Sequence, residues 1–331
     1  MNEMNPYEST EVDTDLPQEV AISVRNIVKK YGNQVVLNNV SFDIPKQCIF
    51  GVIGPNGAGK TTLFSIAAGF VKANSGSIHV LGVNVENISA LMGKFAMLPQ
   101  DAAFQSGIPV LDQLVMFGEL NGMTKEQAND AAMEALKIVG LADVAQKAAR
   151  TLSHGMAKRV ALCQAFIGDP EVIILDEPTA GLDPDNARNI RELIRQYAKD
   201  KTVIVSSHNL KEIENICDHV AILNEGNIVE NTEMDSLIAA DSSIRVELGE
   251  DLPANLKDAL LSLDCVKDFI SIESRTFSIT TENTGRKETL KSLYKVMAEH
   301  DVYPTSVQEG DSLESRFLEV TGGKSDGSSS T

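Results

Sequence analysis

Tryptophan is absent from this 331-residue chain, and aromatic residues make up only 5% of it. That scarcity excludes little, because a core can be built from aliphatic side chains. The cysteines are more informative. Cys48, Cys163, Cys217 and Cys265 lie far apart, and no Cys-x-x-Cys pair occurs. The chain therefore lacks both the disulfide framework of a small secreted domain and the ligand spacing of a zinc site. Such residues read as small buried hydrophobes in a reducing compartment. Positive charge is in deficit: 29 Lys and Arg against 47 Asp and Glu give a formal net charge of −18. That balance disfavours nucleic-acid binding through a broad basic face, and an anionic lipid surface repels it. No apolar run approaches the roughly 18–20 residues that a membrane-spanning helix needs. Met1-Asn2-Glu3-Met4-Asn5-Pro6 has neither the basic start nor the apolar stretch of a signal peptide. If a chain of this kind works at a membrane, a protein partner must hold it there.

What is present begins with length. The chain is long enough for two domains, and an apolar content of 43% is that of a globular protein. Its organising stretch is Gly54-Pro55-Asn56-Gly57-Ala58-Gly59-Lys60-Thr61-Thr62, which fits G-x-x-x-x-G-K-[ST]. The apolar run 48–53 leads into it as a buried strand, and 63–70 follows as a helix. Gly54, Gly57 and Gly59 let backbone N–H groups turn inward and approach phosphate oxygens. A helix starting near Lys60 adds unpaired N–H groups and the positive end of its dipole. Lys60 supplies a charge for the β- and γ-phosphates, and Thr61 a hydroxyl for Mg²⁺. An ordinary Gly-rich turn is the competing reading, but it does not require every fixed position of the motif to be filled between a strand and a helix. The loop specifies nucleotide phosphate without specifying the machine.

Taken in order, residues 1–20 carry Glu3, Glu8, Glu11, Asp13, Asp15 and Glu19 with no Lys or Arg, and are expected to form a disordered acidic tail. Short strands are expected at 21–24, which alternates, at 35–37 and at 40–44, with Tyr31-Gly32 in the first turn. An aromatic there is usually structural, but its ring can also stack on a base. Further strands fall at 77–81 and 95–98, the latter ending at Pro99-Gln100-Asp101. From 110 to 150 the pattern turns helical, and Thr124 with Gln127 reads as the capping box of a helix running to Gly140. Leu152-Ser153-His154-Gly155-Met156 breaks the pattern ahead of a helix expected at 157–167. Val172-Ile173-Ile174-Leu175 is a strand ending in Asp176-Glu177-Pro178. A polar helix at 185–199, a buried strand at 202–207 followed by His208, a short helix at 210–217 and a hairpin at 220–230 complete the block. This alternation predicts an α/β fold with a mainly parallel sheet covered on both faces and a helical insertion at about 101–155. Asp241-Ser242-Ser243 is the expected boundary between a domain at 21–240 and a second at 244–321. The second reads β-α-β-β-α-β, the ferredoxin-like order, and then a short helix. From Gly322 to 331 the chain is Ser- and Gly-rich and expected to be disordered.

Four apolar residues place Asp176 at the carboxyl end of a buried strand, where a carboxylate can hold Mg²⁺ directly or through water. Glu177 is adjacent and can polarise a water against a γ-phosphate, so neighbouring acids take two roles. The alternative is a surface turn that merely ends a strand. His208, one strand further on, is either a helix-start residue or an imidazole reaching the γ-phosphate.

With these residues in place the sequence resembles the ATP-binding-cassette (ABC) ATPases over about residues 21–231. Gly54 to Thr62 matches the Walker A loop, and Val172 to Asp176 with Glu177 the Walker B strand and catalytic glutamate. Gln100 matches the Q-loop, Gly181-Leu182-Asp183 the D-loop, His208 the switch histidine and Tyr31 the A-loop aromatic. Leu152 to Met156 matches the Leu-Ser-Gly-Gly-Gln signature in part, with His154 and Met156 departing and Ser153 and Gly155 kept. The resemblance implies a P-loop NTPase cassette with an antiparallel β subdomain and an inserted helical subdomain. It implies ATP and Mg²⁺ as ligands, with the metal at Thr61, Gln100 and Asp176, and catalysis by Glu177, His208 and Gln100. It implies a head-to-tail homodimer or paired cassette in which Ser153, Gly155 and Asp183 face the nucleotide on the opposite Lys60 loop. Integral membrane permease subunits are the implied partners, with no nucleic acid, and the implied location is cytoplasmic, peripheral on the inner face of the cell membrane. The C-terminal addition resembles that of ABC-2-type export cassettes. The other readings are a soluble cassette protein acting on ribosomes or DNA, and a small-molecule kinase.

Overall fold

A computed structural model describes residues 19–239, 243–253, 255–281, 286–309 and 313–321. The expected acidic tail, apart from its last two residues, and the Ser- and Gly-rich tail lie outside the described residues. The chain divides into two compact units at Asn231 and Thr232. This is ahead of the polar stretch at Asp241, which with Ser242 is not among the described residues.

The first unit runs β1 (Val20–Tyr31), β2 (Gln34–Pro45), β3 (Ile49–Ile53), α1 (Lys60–Ala67), β4 (Ser75–Val80), β5 (Val83–Asn84), β6 (Phe95–Leu98), α2 (Val110–Leu120), α3 (Lys125–Ile138), α4 (His154–Phe166), β7 (Val172–Leu175), α5 (Pro184–Tyr197), β8 (Thr202–Ser206), α6 (Leu210–Ile216), β9 (His219–Asn224) and β10 (Asn227–Glu233). A six-stranded sheet has the order β10-β9-β3-β8-β7-β6. Its pairs β3–β8, β3–β9, β7–β8 and β6–β7 are parallel. Every residue of β3, β7 and β8 is buried. This is why those segments read as unbroken apolar runs: a parallel strand is covered on both faces. Glu225 and Gly226 both have positive φ, 46° and 78°, in the two-residue connection from β9 to β10. That left-handed pair matches the twist of a tight hairpin.

A separate antiparallel sheet has the order β2-β1-β4-β5. Here the structure corrects two expectations. Residues 35–37 and 40–44 are one strand, β2, not two. The break in pattern is an irregularity in the ladder, where Asn26 (φ 50°) and Asn39 (φ 56°) turn left-handed and Asn26 Nδ2 donates to Asn39 Oδ1 at 3.0 Å. Asn tolerates that conformation, so the strand bends without ending. The short strand expected at 21–24 is instead part of a longer one, β1, that runs to Tyr31, and Ala21, Ile22, Ser23 and Val24 are all buried.

The helical block is two helices followed by short 3₁₀ turns at Ala142–Val144 and Ala149–Thr151. Thr124 does form a capping box, its Oγ1 accepting from Gln127 N–H while its own N–H donates to Gln127 Oε1. The next helix starts earlier than expected. Ser153 caps α4, so His154, Gly155 and Met156 belong to its first turn and not to a break before it. Ser is a strong N-cap, and Gly at the second helical position is tolerated where propensity counts least.

The second unit runs α7 (Met234–Ala239), β11 (Ser243–Leu248), α8 (Leu256–Leu261), β12 (Val266–Glu273), β13 (Thr276–Thr281), α9 (Arg286–Glu299), β14 (Pro304–Glu309) and α10 (Leu313–Thr321). Apart from α7, which the sequence pattern did not reveal, this is the order read from the sequence. The sheet β12-β13-β11-β14 is antiparallel and ferredoxin-like in its strand order. Val246, Leu256, Leu260, Phe277, Ile279 and Leu293 form its own dry core. Each unit thus holds the apolar cluster that independent folding requires. Removing residues from Ser243 onward is expected to leave a cassette with helical circular dichroism and a cooperative thermal transition. Loss of that transition would contradict the division.

Candidate functional site

The parallel ladder sets the site. Val52 pairs with Ser206, Leu175 with Val205 and Leu98 with Leu175. The carboxyl ends of β3, β8, β7 and β6 therefore finish along one edge, the edge at which open α/β sheets bind ligands. From that edge come Gly54, Ser206, Asp176 and, two residues beyond β6, Gln100.

The phosphate loop leaves β3 and closes into α1. A Cβ at Gly54 would lie 2.1 Å from the Leu223 carbonyl oxygen, and one at Gly59 2.8 Å from Leu37 Cδ2. Gly59 also has φ 110° and precedes α1 without a side-chain cap. The first N–H groups of α1 are thus offered to an external acceptor. Pro55, Asn56, Gly57 and Ala58 form the turn between, with Asn56 and Gly57 exposed. Lys60 is 8% exposed, and its Nζ donates to the carbonyls of Gly54 at 2.7 Å and Pro55 at 3.4 Å. Burial pushes its ammonium below the ordinary value, while the nearby charges of Glu177 and Asp176 oppose that shift. Thr61 is exposed and Thr62 partly so, both in the first turn of α1.

Asp176 and Glu177 follow β7. Asp176 is 2% exposed, its Oδ1 accepting from Ser206 Oγ at 2.5 Å. Its Oδ2 is buried without a hydrogen-bond partner. A lone carboxylate oxygen out of water is costly, so this atom fits a cation ligand. Ser206 Oγ also accepts from the Glu177 N–H at 2.9 Å. Glu177 has φ 49°, a strained backbone for a non-glycine residue, and its Oε2 lies 2.8 Å from His208 Nδ1. Lys60, Asp176, Glu177 and His208 are thereby gathered in one place. Ser206, which the sequence reading passed over, is hydrogen-bonded to both Asp176 and Glu177. Its signal was a hydroxyl residue closing the apolar run 202–205.

A second group forms around α4 and α5. Ser153 Oγ accepts from Met156 N–H at 3.3 Å. A Cβ at Gly155 would lie 2.6 Å from Asn186 Cγ, and Asn186 donates to both carboxylate oxygens of Asp183, at 3.0 Å from its N–H and 2.6 Å from Nδ2. Those bonds, the backbone one first, hold the Asp183 carboxyl below its usual range. His154 is exposed, its Nε2 3.6 Å from where a Cβ on Gly181 would stand. Among the described residues no hydrogen bond joins this group to the Lys60 cluster. Gln100 is exposed, and its carbonyl accepts from Lys158 Nζ of α4 at 3.1 Å. Tyr31 stands at the end of β1, half exposed, with Lys29 Nζ 4.9 Å from its ring centroid. The arrangement can bind a polyphosphate on α1 and present an oriented carboxylate and an imidazole beside it.

The ABC transporter family pattern matches residues 37–180. Among similar proteins, the linearmycin resistance ATP-binding protein LnrL of Bacillus subtilis (strain 168) is 31% identical over 307 residues, 91% of this chain and 98% of that protein. The bacitracin transport ATP-binding protein BcrA of Bacillus licheniformis is 34% identical over 219 residues, 65% of this chain and 71% of that one. Among solved structures, cbiO1 from Clostridium perfringens, described as part of the ABC transporter complex cbiONQ, has a TM-score of 0.59 at 27% identity. It covers 67% of this chain and 91% of its own.

Replacing Lys60 with Ala removes the ammonium buried against the phosphate loop. Charge-assisted hydrogen bonds contribute about 1.5–3 kcal/mol, so the affinity of a fluorescent ATP analogue is expected to fall about tenfold to a hundredfold. Wild-type affinity in an equilibrium titration would contradict the loop's role.

Proposed function

Because the chain belongs to the ABC transporter family, we propose that it is the motor of an exporter, hydrolysing ATP to drive transport through membrane-spanning subunits carried on other chains. Membership makes it an ATP-binding ATPase subunit of a transporter. The export reading is supported by LnrL and BcrA, named for resistance and transport. It is supported too by the Nod factor export ATP-binding protein I of Mesorhizobium japonicum, 34% identical over 219 residues. The observation that carries the catalytic assignment is the Glu177–His208 contact of 2.8 Å beside the Lys60 loop.

In this reading Lys60, the backbone N–H groups of residues 54–59 and the start of α1 hold the β- and γ-phosphates. Thr61, Asp176 and Gln100 would hold Mg²⁺, to which the unpartnered Asp176 Oδ2 is suited, and the ion would supply charge neutralisation at the phosphates. Tyr31 stacks on the base. Glu177 accepts the proton of the attacking water, and His208 orients the Glu177 carboxylate while reaching the γ-phosphate with its other nitrogen. Ser153 and Gly155 at the start of α4, with Asp183 beside them, complete the nucleotide site of a second cassette packed head to tail. A homodimer or a paired cassette meets that need. His154 and Met156 depart from the signature while Ser153 and Gly155 are kept, so a working site is expected.

No helix among the described residues is long and apolar enough to cross a membrane. With a net charge of −18, attachment to an anionic leaflet must come from permease subunits, which would place the protein on the cytoplasmic face. The docking surface in this reading is the helical block, α2 and α3, with the loop after Gln100.

Glu177→Gln is expected to keep nucleotide affinity and nearly abolish steady-state hydrolysis, since the base is lost while the phosphate contacts stay. Unchanged turnover rules out its role. Coexpression with the cognate permease is expected to move the protein into the membrane fraction, and Asp101→Lys should weaken that shift more than a charge reversal in the second unit. A chain that stays out of the membrane fraction in the permease's presence would remove the main support for the transporter reading.

A further inference from the structure

One carboxylate in the first unit has both oxygens filled and no role in the chemistry above. Glu212 lies in the first turn of α6, its side chain 12% exposed. Oε2 accepts from Thr179 Oγ1 at 2.6 Å and from Ser207 Oγ at 3.3 Å. Oε1 pairs with Arg191 Nη1 of α5 at 2.7 Å. The Glu212 N–H donates to Asn209 Oδ1 at 3.4 Å, and Asn209 N–H donates to Ser207 Oγ at 3.0 Å.

The placement of these partners matters. Thr179 follows Glu177 by two positions, and Ser207 and Asn209 flank His208 on either side. A single oxygen therefore joins the turn that carries the carboxylate to the turn that carries the imidazole. The other oxygen fixes both to α5, the helix that Asp183 caps. Neither Glu177 nor His208 is held by packing alone. His208 exposes 65% of its side chain, and Glu177 has the strained left-handed backbone at φ 49°. A strained residue persists only where its surroundings over-determine it. Thr179 and Ser207 are buried, so their hydroxyls form these bonds away from water, where bonds to a charged acceptor are strongest.

We propose that Glu212 is a positioning residue for ATP hydrolysis, holding Glu177 and His208 at their working separation through Thr179 and Ser207. The inference rests on the hydrolytic reading of that pair. A purely structural Glu212 would change stability and nucleotide affinity together with turnover. A positioning residue changes turnover alone.

The test uses the full chain with kcat, KM and the affinity of a fluorescent ATP analogue measured for Glu212→Ala, Glu212→Gln and Thr179→Val. Misplacement of catalytic groups by about 1 Å can cost about a hundredfold. Glu212→Ala is expected to lower kcat by about tenfold to a hundredfold, with KM and affinity within about twofold of wild type. Glu212→Gln, which keeps an acceptor oxygen for the two hydroxyls and loses only the charge toward Arg191, should recover part of kcat. In single-turnover assays on the Glu177→Gln background, Glu212→Ala should add no further loss, since the groups act as a unit. Wild-type kcat in Glu212→Ala, loss of affinity in step with kcat, or full additivity with Glu177→Gln overturns the proposal. If Glu212→Ala does not fold, Thr179→Val removes one hydroxyl only and must show a smaller loss confined to kcat; wild-type kcat there overturns it equally. A wild-type chain that does not hydrolyse ATP overturns the hydrolytic reading itself, and normal wild-type turnover with unaffected variants overturns only the positioning role.

Discussion

Ser206 contributes a single hydroxyl to the point where β3, β8 and β7 end side by side, and the candidate site depends on it. Its proton goes to Asp176 and its lone pairs receive the Glu177 N–H. Ser206 is fully buried, so both bonds lie in a region of low dielectric, where they are strong and where their absence would strand a carboxylate and an amide. One donor and two acceptor sites are what a hydroxyl offers, and this one serves two neighbours with opposite needs. The two carboxylates are thereby sent in different directions. Asp176 keeps one buried oxygen unpartnered, and Glu177 turns through a left-handed backbone to meet His208. The parallel register sets Ser206 beside Val52 between strands that are buried throughout, so the site edge is anchored in the core.

The second cluster obeys a different constraint, that of close approach. Gly155 has no room for a side chain because Asn186 fills that space, and Asn186 is held by Asp183. The start of α4 and the start of α5 are thus packed through an atom that a glycine lacks. His154 bears on the same region from its exposed side, toward Gly181. Two residues of the signature turn depart from the pattern of the family, but the one that backs onto α5 does not. The departure at 154 is on the exposed side, and the retained glycine is on the side where the structure leaves no space.

Much of this was legible in the sequence because the burial was one-sided or complete. The runs 49–53, 172–175 and 202–205 read as strands covered on both faces, and the Gly-rich loop after the first and the acidic pair after the second marked the site edge. Thr124 with Gln127 announced a helix start by side-chain chemistry that acts locally. The order of elements in the second unit followed from periodicity in the same way. What escaped notice depends on contacts far apart in sequence. Nothing near Asn26 signals that it will pair with Asn39 and bend a strand that stays whole. Ser153 read as part of a break, although a Ser before a run rich in Ala and Leu is also a cap, and only the structure decides between them. Ser206 and Glu212 were invisible for a related reason. A serine or a glutamate is common, and what distinguishes these two is a hydrogen bond to a residue far off in sequence, Asp176 for the first and Thr179 for the second.

The electrostatics of the edge explain why so acidic a chain can handle a polyanion. Lys60 is the cation buried in the loop, and it faces the charges of both Asp176 and Glu177. Two carboxylates against one ammonium leave the pocket short of positive charge before any phosphate arrives. The Lys60 ammonium donates to the carbonyls of Gly54 and Pro55. A polyphosphate must replace those weak acceptors with strong ones, while its own charge has to be offset against the nearby acids. The N–H groups at the start of α1 supply part of that offset as fixed dipoles that require no reorganisation. The unpartnered oxygen of Asp176 is suited to supply the rest by holding a divalent cation against the phosphates. An acidic chain is thus compatible with nucleotide binding, because fixed dipoles at the start of α1 and the buried Lys60 act in the pocket without a basic surface. Net charge governs where such a protein can go, while the few groups withdrawn from water govern what it can hold.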